Sequence, residues 1–188
     1  MSKVNAYDFD KTIFDGDSTA RFYVYCLLRT PKMFLRLPRL AVEAVFLLKK
    51  DKQAFKEHMF AFLTDLKNLE KMLSDFWKKN ECRIKKFYFE TRRDDDLIAS
   101  ASPEFIVKPM TDKLGIQYLI ASPVDFKTGK YFGPNCHGQE KVIRFRREFP
   151  GLEIEDFYSD SHSDDPMAGI AKRAFMVKGE KLSAWKMK

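Results

Sequence analysis

Two carboxylates close the first apolar run of the chain. The run Val4-Asn5-Ala6-Tyr7-Asp8-Phe9-Asp10-Lys11-Thr12 has the alternation and the β-forming residues of a buried strand. Asp8 and Asp10 fall where that strand gives way to a loop. Side chains two apart on a strand point to one side, so both carboxylates start from the same face. Crowding acids beside a core costs free energy unless a cation or a reacting group occupies the site. A second acidic segment, Tyr158-Ser159-Asp160-Ser161-His162-Ser163-Asp164-Asp165-Pro166, follows another short strand. Two acidic strand ends so distant in sequence imply one metal site assembled by folding.

The elements that must position these groups fall into two blocks. The 188 residues suffice for one sizeable domain, or for a core with an insert. An apolar content of 45%, including 18 Phe, supplies a core and excludes disorder. From about Ser18 to Thr91 the chain reads as helix after helix. Ser18 and Thr19 offer an N-cap, Pro31 and Pro38 mark turns, and helical spacing runs through Leu40 to Leu48, Phe55 to Leu66, Leu69 to Trp77 and Ile84 to Phe89. From Asp94 onward strands and helices alternate. Leu97-Ile98-Ala99 is a strand, and Ser102-Pro103-Glu104 starts a helix that Gly115 closes. Residues 117–121 form a strand, 124–132 a hairpin turning at Thr128-Gly129, and 141–149 a helix. Residues 155–158 form a strand, 166–172 a short helix and 173–177 a last strand.

This order predicts an α/β fold with a doubly wound, Rossmann-like parallel sheet. The helical block becomes a cap inserted after the first strand, over the carboxyl edge where such sheets bind ligands. The expected division is a core of residues 1–18 plus 92–188 and a cap of residues 19–91. The net charge of +7, from 34 basic and 27 acidic residues, points to an anionic partner. Cys26, Cys82 and Cys136 are widely spaced and read as free thiols of a reducing compartment. No signal peptide fits ahead of the first strand, and the most apolar stretch falls short of the roughly 20 residues that span a bilayer. A cytoplasmic protein is expected. Asp94-Asp95-Asp96 reads as a solvated turn, Arg83, Lys85, Lys86, Arg92 and Arg93 as the exposed face of a helix, and Cys136-His137-Gly138 as a tight turn.

Four segments should converge on the carboxyl edge. They are Asp8, Asp10 and Thr12; Ser100 with Ala101, ahead of a helix N-terminus that can hold a phosphate; Lys141; and Asp160 with Asp164. In order and spacing this set resembles the four-motif signature of the haloacid dehalogenase superfamily. The helical insert directly after the first motif resembles the phosphoserine-phosphatase-like branch, subclass IB. The resemblance implies a Mg²⁺-dependent phosphatase in which Asp8 attacks phosphorus and becomes an aspartyl-phosphate. It places Asp8, Asp160 and the backbone carbonyl of Asp10 on the metal, and Thr12, Ser100, Ala101 and Lys141 on the phosphate. Oxygen-only ligands suit Mg²⁺ rather than zinc. Asp164, with Asp165 as the near-equal alternative, would position Lys141 or a metal-bound water. Asp8, with an ordinary pKa of about 3.9, is ionised at neutral pH. Asp10 has to give a proton to the leaving alkoxide and later take one from water. At a pKa of about 3.9 only about one molecule in a thousand is protonated at pH 7, so burial or neighbouring acids must raise it.

The substrate stays open between two organic phosphate monoesters. Phosphoserine phosphatases grip the amino acid with an acid after the first motif, for which Asp17 is available, and with a cap arginine. The stretch Phe55 to Phe62 offers apolar residues there. Cys136-x-Gly138-x-Glu140-Lys141-Val142 and Tyr158-Ser159-Asp160-Ser161 resemble bacterial phosphatidylglycerophosphatase C, which implies a lipid phosphate and peripheral contact with an anionic membrane. Arg29 to Leu40 mixes cations with large apolar groups in the manner of an interfacial element. For a lipid, Met33, Phe34, Leu35 and Leu37 should face outward beside Arg36 and Arg39. For a soluble metabolite they should be buried. A rival of another class is a non-catalytic module binding anions or nucleic acid through the basic cluster, and the four motifs weigh against it.

Overall fold

The computed structural model describes residues 2–47 and 51–188; Leu48, the last residue of one expected helical stretch, lies outside them. Six strands form one sheet in the order β3-β2-β1-β4-β5-β6. They are β1 (Ser2–Tyr7), β2 (Leu97–Pro103), β3 (Tyr118–Ser122), β4 (Leu152–Ser159), β5 (Arg173–Lys178) and β6 (Lys181–Ala184). The first five run parallel and β6 turns back antiparallel on β5. β1 is central, paired with β2 on one side and β4 on the other, so it needs apolar groups on both faces. Val4 and Ala6 join one buried cluster with Leu97, Ala99 and Phe157. Tyr7 joins the other with Ile98. The period of two along each strand sorts these side chains.

Helices cover both faces. α7 (Gln139–Glu148) and α8 (Asp165–Ala168) contribute Val142, Phe145 and Met167 to the first cluster. α6 (Glu104–Leu114) contributes Ile106, Val107 and Met110 to the second. Gly115, at φ +70, ends α6 in the left-handed conformation, which a residue without Cβ adopts freely. Between β1 and β2 come α1 (Ser18–Leu27), α2 (Leu37–Leu47), α3 (Lys52–Phe60), α4 (Leu69–Asn80) and α5 (Lys86–Thr91), with 3₁₀ turns at Pro31–Arg36, Ala61–Asp65 and Glu81–Arg83. Aromatic edges join this insert to the sheet. The Trp77 ring stands nearly perpendicular to Phe9 at 6.0 Å and to Phe14 at 5.4 Å, an arrangement ring quadrupoles favour. Its indole N–H donates to the Ile106 carbonyl at 2.8 Å, tying α4 to α6. Among the described residues no helix is long and apolar enough to cross a membrane.

The structure departs from the sequence-based expectations at several points. The N-cap of α1 is Asp17, whose Oδ1 accepts from the Ala20 N–H at 2.8 Å, rather than Ser18 or Thr19. β2 continues past Ala99 to Pro103, and Pro103 pairs with Ser122 of β3. Ser102 is therefore strand, and α6 starts one residue after Pro103. Small residues such as Ser100, Ala101 and Ser102 have weak preferences, so the neighbouring strand decides. The expected hairpin is a single bridge between Val124 and Tyr131. Asp96 is fully buried rather than solvated. Lys85 is buried as well and donates to the Lys11 carbonyl, so the basic block is not one exposed face.

Candidate active site

The chain turns outward from β1 toward β2 and β3, then returns to the other side of β1 with β4. This reversal leaves a crevice at the carboxyl ends of β1 and β4, the place where open α/β sheets bind ligands. The Asp8 N–H bonds the Tyr158 carbonyl at 2.9 Å, holding the two strand ends together. A cleft of about 480 Å³ opens there, lined by Asp8, Asp10, Lys141 and Asp160 on the sheet side and by Phe55 and Met59 of α3 opposite them in the chain order. A groove of about 570 Å³ between α4 and α6 is lined by Leu73, Trp77 and Phe105, with Glu70, Lys78, Lys108, Asp112 and Lys113 around them, and contains none of the four motif segments.

Lys141 is the centre of the charge arrangement. It sits in the first turn of α7, is 2% exposed, and places its ammonium 2.7 Å from Asp8 Oδ1 and 2.8 Å from Asp164 Oδ1. Burial opposes its charge, but the two carboxylates more than offset this and hold its pKa above the ordinary value. For Asp8 the balance runs the other way. Burial pushes its carboxyl up, against the pull of the Lys141 ammonium, so its protonation is not that of a free aspartate. Asp164 is fixed from behind by the Ser159 hydroxyl, which donates to Oδ2 at 2.7 Å. Asp165 instead accepts from the Trp185 indole at 2.8 Å and lies 3.1 Å from His162 Nδ1. Of the two acids weighed for a role beside Lys141, the geometry brings Asp164 to it.

Asp10 occupies a different environment. Burial pushes its carboxyl above the ordinary value, the hydroxyl of Ser102 pulls it down and the charge of Asp17 pushes it up. Ser102 Oγ donates to Oδ2 and the Ser18 N–H donates to Oδ1 at 2.6 Å. Lys11, with φ 60, takes a left-handed turn unusual for a residue with a Cβ. The loop closes with the Lys11 N–H on the Gly16 carbonyl at 2.8 Å.

Thr12 and Ser100, expected on the phosphate, lie beneath the cleft. Thr12 is fully buried and braces two acids: its hydroxyl donates to Asp8 Oδ2 at 3.2 Å and accepts from the Asp160 N–H at 3.0 Å. Ser100 Oγ is buried and accepts from the Ser102 N–H at 3.1 Å. Ala101 and Asp17 both line the cleft. Burial is the main cause that raises the Asp160 carboxyl, with Lys11 opposing it. The sequence reading missed Ser102, Lys56 and His137, all in the cleft wall. Ser102 had a signal, since it follows Ser100 by two and shares its side of the strand. Lys56 Nζ donates to Asn135 Oδ1 at 3.1 Å and reaches the Ala101 carbonyl at 3.4 Å. No local pattern announces such a contact between insert and core.

Known proteins place this geometry in context. Over 81 residues the chain is 36% identical to Protein CicA of Caulobacter vibrioides, a match spanning 40% of this chain and 36% of that protein's length. A crystal structure of a protein with unknown function from Bordetella pertussis Tohama I superimposes with a TM-score of 0.71 at 19% identity, covering 93% of this chain and 89% of that one. A probable phosphoserine phosphatase from Vibrio cholerae gives 0.63 at 15% identity, over 93% of this chain and 55% of that one. These structures share the fold, with helices inserted after the first strand of a mostly parallel sheet. Residues 6–169 match the family description haloacid dehalogenase-like hydrolase, a span holding every acid and lysine of the cleft described above, and the chain belongs to that family.

Proposed function

We propose that the protein is a Mg²⁺-dependent phosphatase that hydrolyses an organic phosphate monoester through an aspartyl-phosphate on Asp8. The observation that carries this reading is the Lys141 ammonium, held between Asp8 and Asp164 at 2.7 and 2.8 Å in the same cleft as Asp10. A carboxylate oxygen of Asp8 attacks phosphorus, the P–O bond to the ester oxygen breaks, and its electron pair leaves with that oxygen. Protonated Asp10, favoured by burial, gives its proton to the departing alkoxide. Asp10 then takes a proton from the water that attacks the phosphoaspartate, releasing inorganic phosphate and restoring Asp8. Lys141 offsets charge on the transferred oxygens, and such positioned charge is most of catalysis in phosphoryl transfer.

The donor set fits a hard cation. Asp8 and Asp160 supply carboxylate oxygens that both lie within reach of the Thr12 hydroxyl, at 3.2 and 3.4 Å, and among the described residues no cluster of three His, Cys, Asp or Glu side chains offers a softer site. Asp8, Asp160 and the main-chain carbonyl of Asp10 would hold the ion, with waters completing an oxygen shell of the kind Mg²⁺ accepts. Bound there, the ion would supply positive charge against the repulsion between the nucleophilic carboxylate and the phosphate.

The substrate body faces Phe55, Lys56 and Met59 on the insert side of the cleft, which favours an ester with an apolar group and room for a second negative charge. Both a soluble phosphate ester and phosphatidylglycerophosphate satisfy that. Residues 33–37 do not choose between them, because Met33 is buried while Phe34 and Leu35 are exposed. Release of phosphate from p-nitrophenyl phosphate should require Mg²⁺ and disappear in Asp8→Asn. Turnover surviving in Asp8→Asn, purified free of other phosphatases, would overturn the covalent route.

A further inference from the structure

Helix α2 tucks its one acid inward while several of its apolar residues face water. Its one acid, Glu43, has a side chain only 17% exposed; it accepts from Arg39 Nε at 2.7 Å and lies 2.9 Å from His58 Nδ1 of α3. The outward side carries apolar residues beside the exposed Arg39. Pro38, Ala41, Val42 and Val45 are all exposed, Val42 by 59% and Val45 by 75%, and their spacing makes a stripe along one helix side. The preceding 3₁₀ turn adds Phe34 and Leu35, the latter 82% exposed. Single exposed apolar residues are ordinary. A helix that turns its acid inward and a continuous apolar stripe outward marks a surface built to be covered.

The charge beside this stripe decides what covers it. Between Ser18 and Leu47 there are five cations and one acid, and that acid is already paired. Arg29, Lys32 and Arg39 are exposed. The geometry points to an anionic lipid surface as the partner of this face, with Leu35, Val42 and Val45 entering the acyl boundary and the cations meeting the headgroups. Nucleic acid offers the cations a partner but leaves the stripe in water. A second copy related by a two-fold axis would set the cationic rim against itself, in a chain already at +7. The helix that bears this face packs on a helix that lines the reactive cleft. α2 is joined to α3 through Glu43 and His58, and Phe55 and Met59 of α3 line the cleft.

The test is sedimentation of the full chain with vesicles of phosphatidylcholine, with and without phosphatidylglycerol. The chain should sediment with the mixed vesicles, and added salt should weaken this. Leu35→Asp and Val45→Asp should each lower the association constant by about tenfold or more, from the apolar burial lost. Both positions are exposed and outside the cleft, so the thermal midpoint and the hydrolysis of a soluble aryl phosphate should match the wild type. The proposal is overturned if wild type stays in the supernatant, if it sediments equally with phosphatidylcholine alone, or if both variants sediment unchanged. A wild-type dimer dissociated by Leu35→Asp would assign the face to a second copy and overturn it as well. Binding is read without turnover, so its failure leaves the hydrolytic reading standing.

Discussion

Two aspartates two residues apart in one loop end up in unlike surroundings. Asp8 touches a lysine, whereas Asp10 accepts from the Ser102 hydroxyl and the Ser18 amide and feels the field of Asp17. That separation lets one be a nucleophile and its neighbour a proton carrier, in the way paired carboxyls divide roles when their environments differ. Ser102 is the adjustable part. Its hydroxyl stabilises the charged form of Asp10, so Ser102→Ala should raise the Asp10 pKa further. The free enzyme needs Asp10 protonated in the first step, and activity falls as pH rises through its pKa. The alkaline limb of kcat/KM should therefore move up by about one pH unit in Ser102→Ala, read from a pH–rate profile with an aryl phosphate. A profile unmoved by the substitution would remove Asp10 as the acid.

At the scale of elements, Trp77 does more than fill space. It packs edge-on against Phe9 and Phe14, two residues of the reactive loop, and bonds the Ile106 carbonyl of α6. Trp77→Ala should cost about 3–5 kcal/mol, measured by urea unfolding, and should lower turnover as well, because the loop carrying Asp8 and Asp10 loses its backing. What the sequence made legible follows from how each element is stabilised. β1 and α6 carry their own signals: alternation in Val4 to Phe9, and the Gly115 stop. β6 carries none, since the residues Lys181 to Ala184 are all exposed and pairing with β5 alone makes them a strand. Ser102 reads as part of a helix start because Ser-Pro is a strong local signal for one. The pairing of β2 with β3 overrides it. The acids and Lys141 were legible from motif spacing. Lys56 and His137 were not, since tertiary packing places them.

The molecule as a whole carries a buried charge that serves no contact with the cleft. Asp96, at the start of β2, is fully buried, and burial pushes its carboxyl up to about 6, with the Arg93 N–H opposing. An unfolded aspartate titrates at about 3.9. Below that pH both states are protonated and the burial carries no ionic cost. Between about 4 and 6 the unfolded chain loses its proton first, so stability falls as pH rises, and above the folded value the loss is complete. Asp96→Asn should raise unfolding free energy at pH 7.5 by on the order of 1–2 kcal/mol and flatten the acid side of a plot of Tm against pH. Equal slopes in both proteins would assign the pH dependence elsewhere. The central place of β1 also has a consequence during synthesis. Ser2 pairs with Leu152 and Tyr7 with Tyr158, so β1 leaves the ribosome about 150 residues ahead of its partner β4. Until β4 emerges, one edge of an apolar strand has no partner, and such edges template association between chains. The helices of the insert, made of local contacts, can form meanwhile, and β2 pairs with the strand's other edge. A ribosome that stalls before Ser159 thus leaves a chain that already bears Asp8 and Asp10 but has no β4 to close the sheet, a ready target for chaperones and proteases.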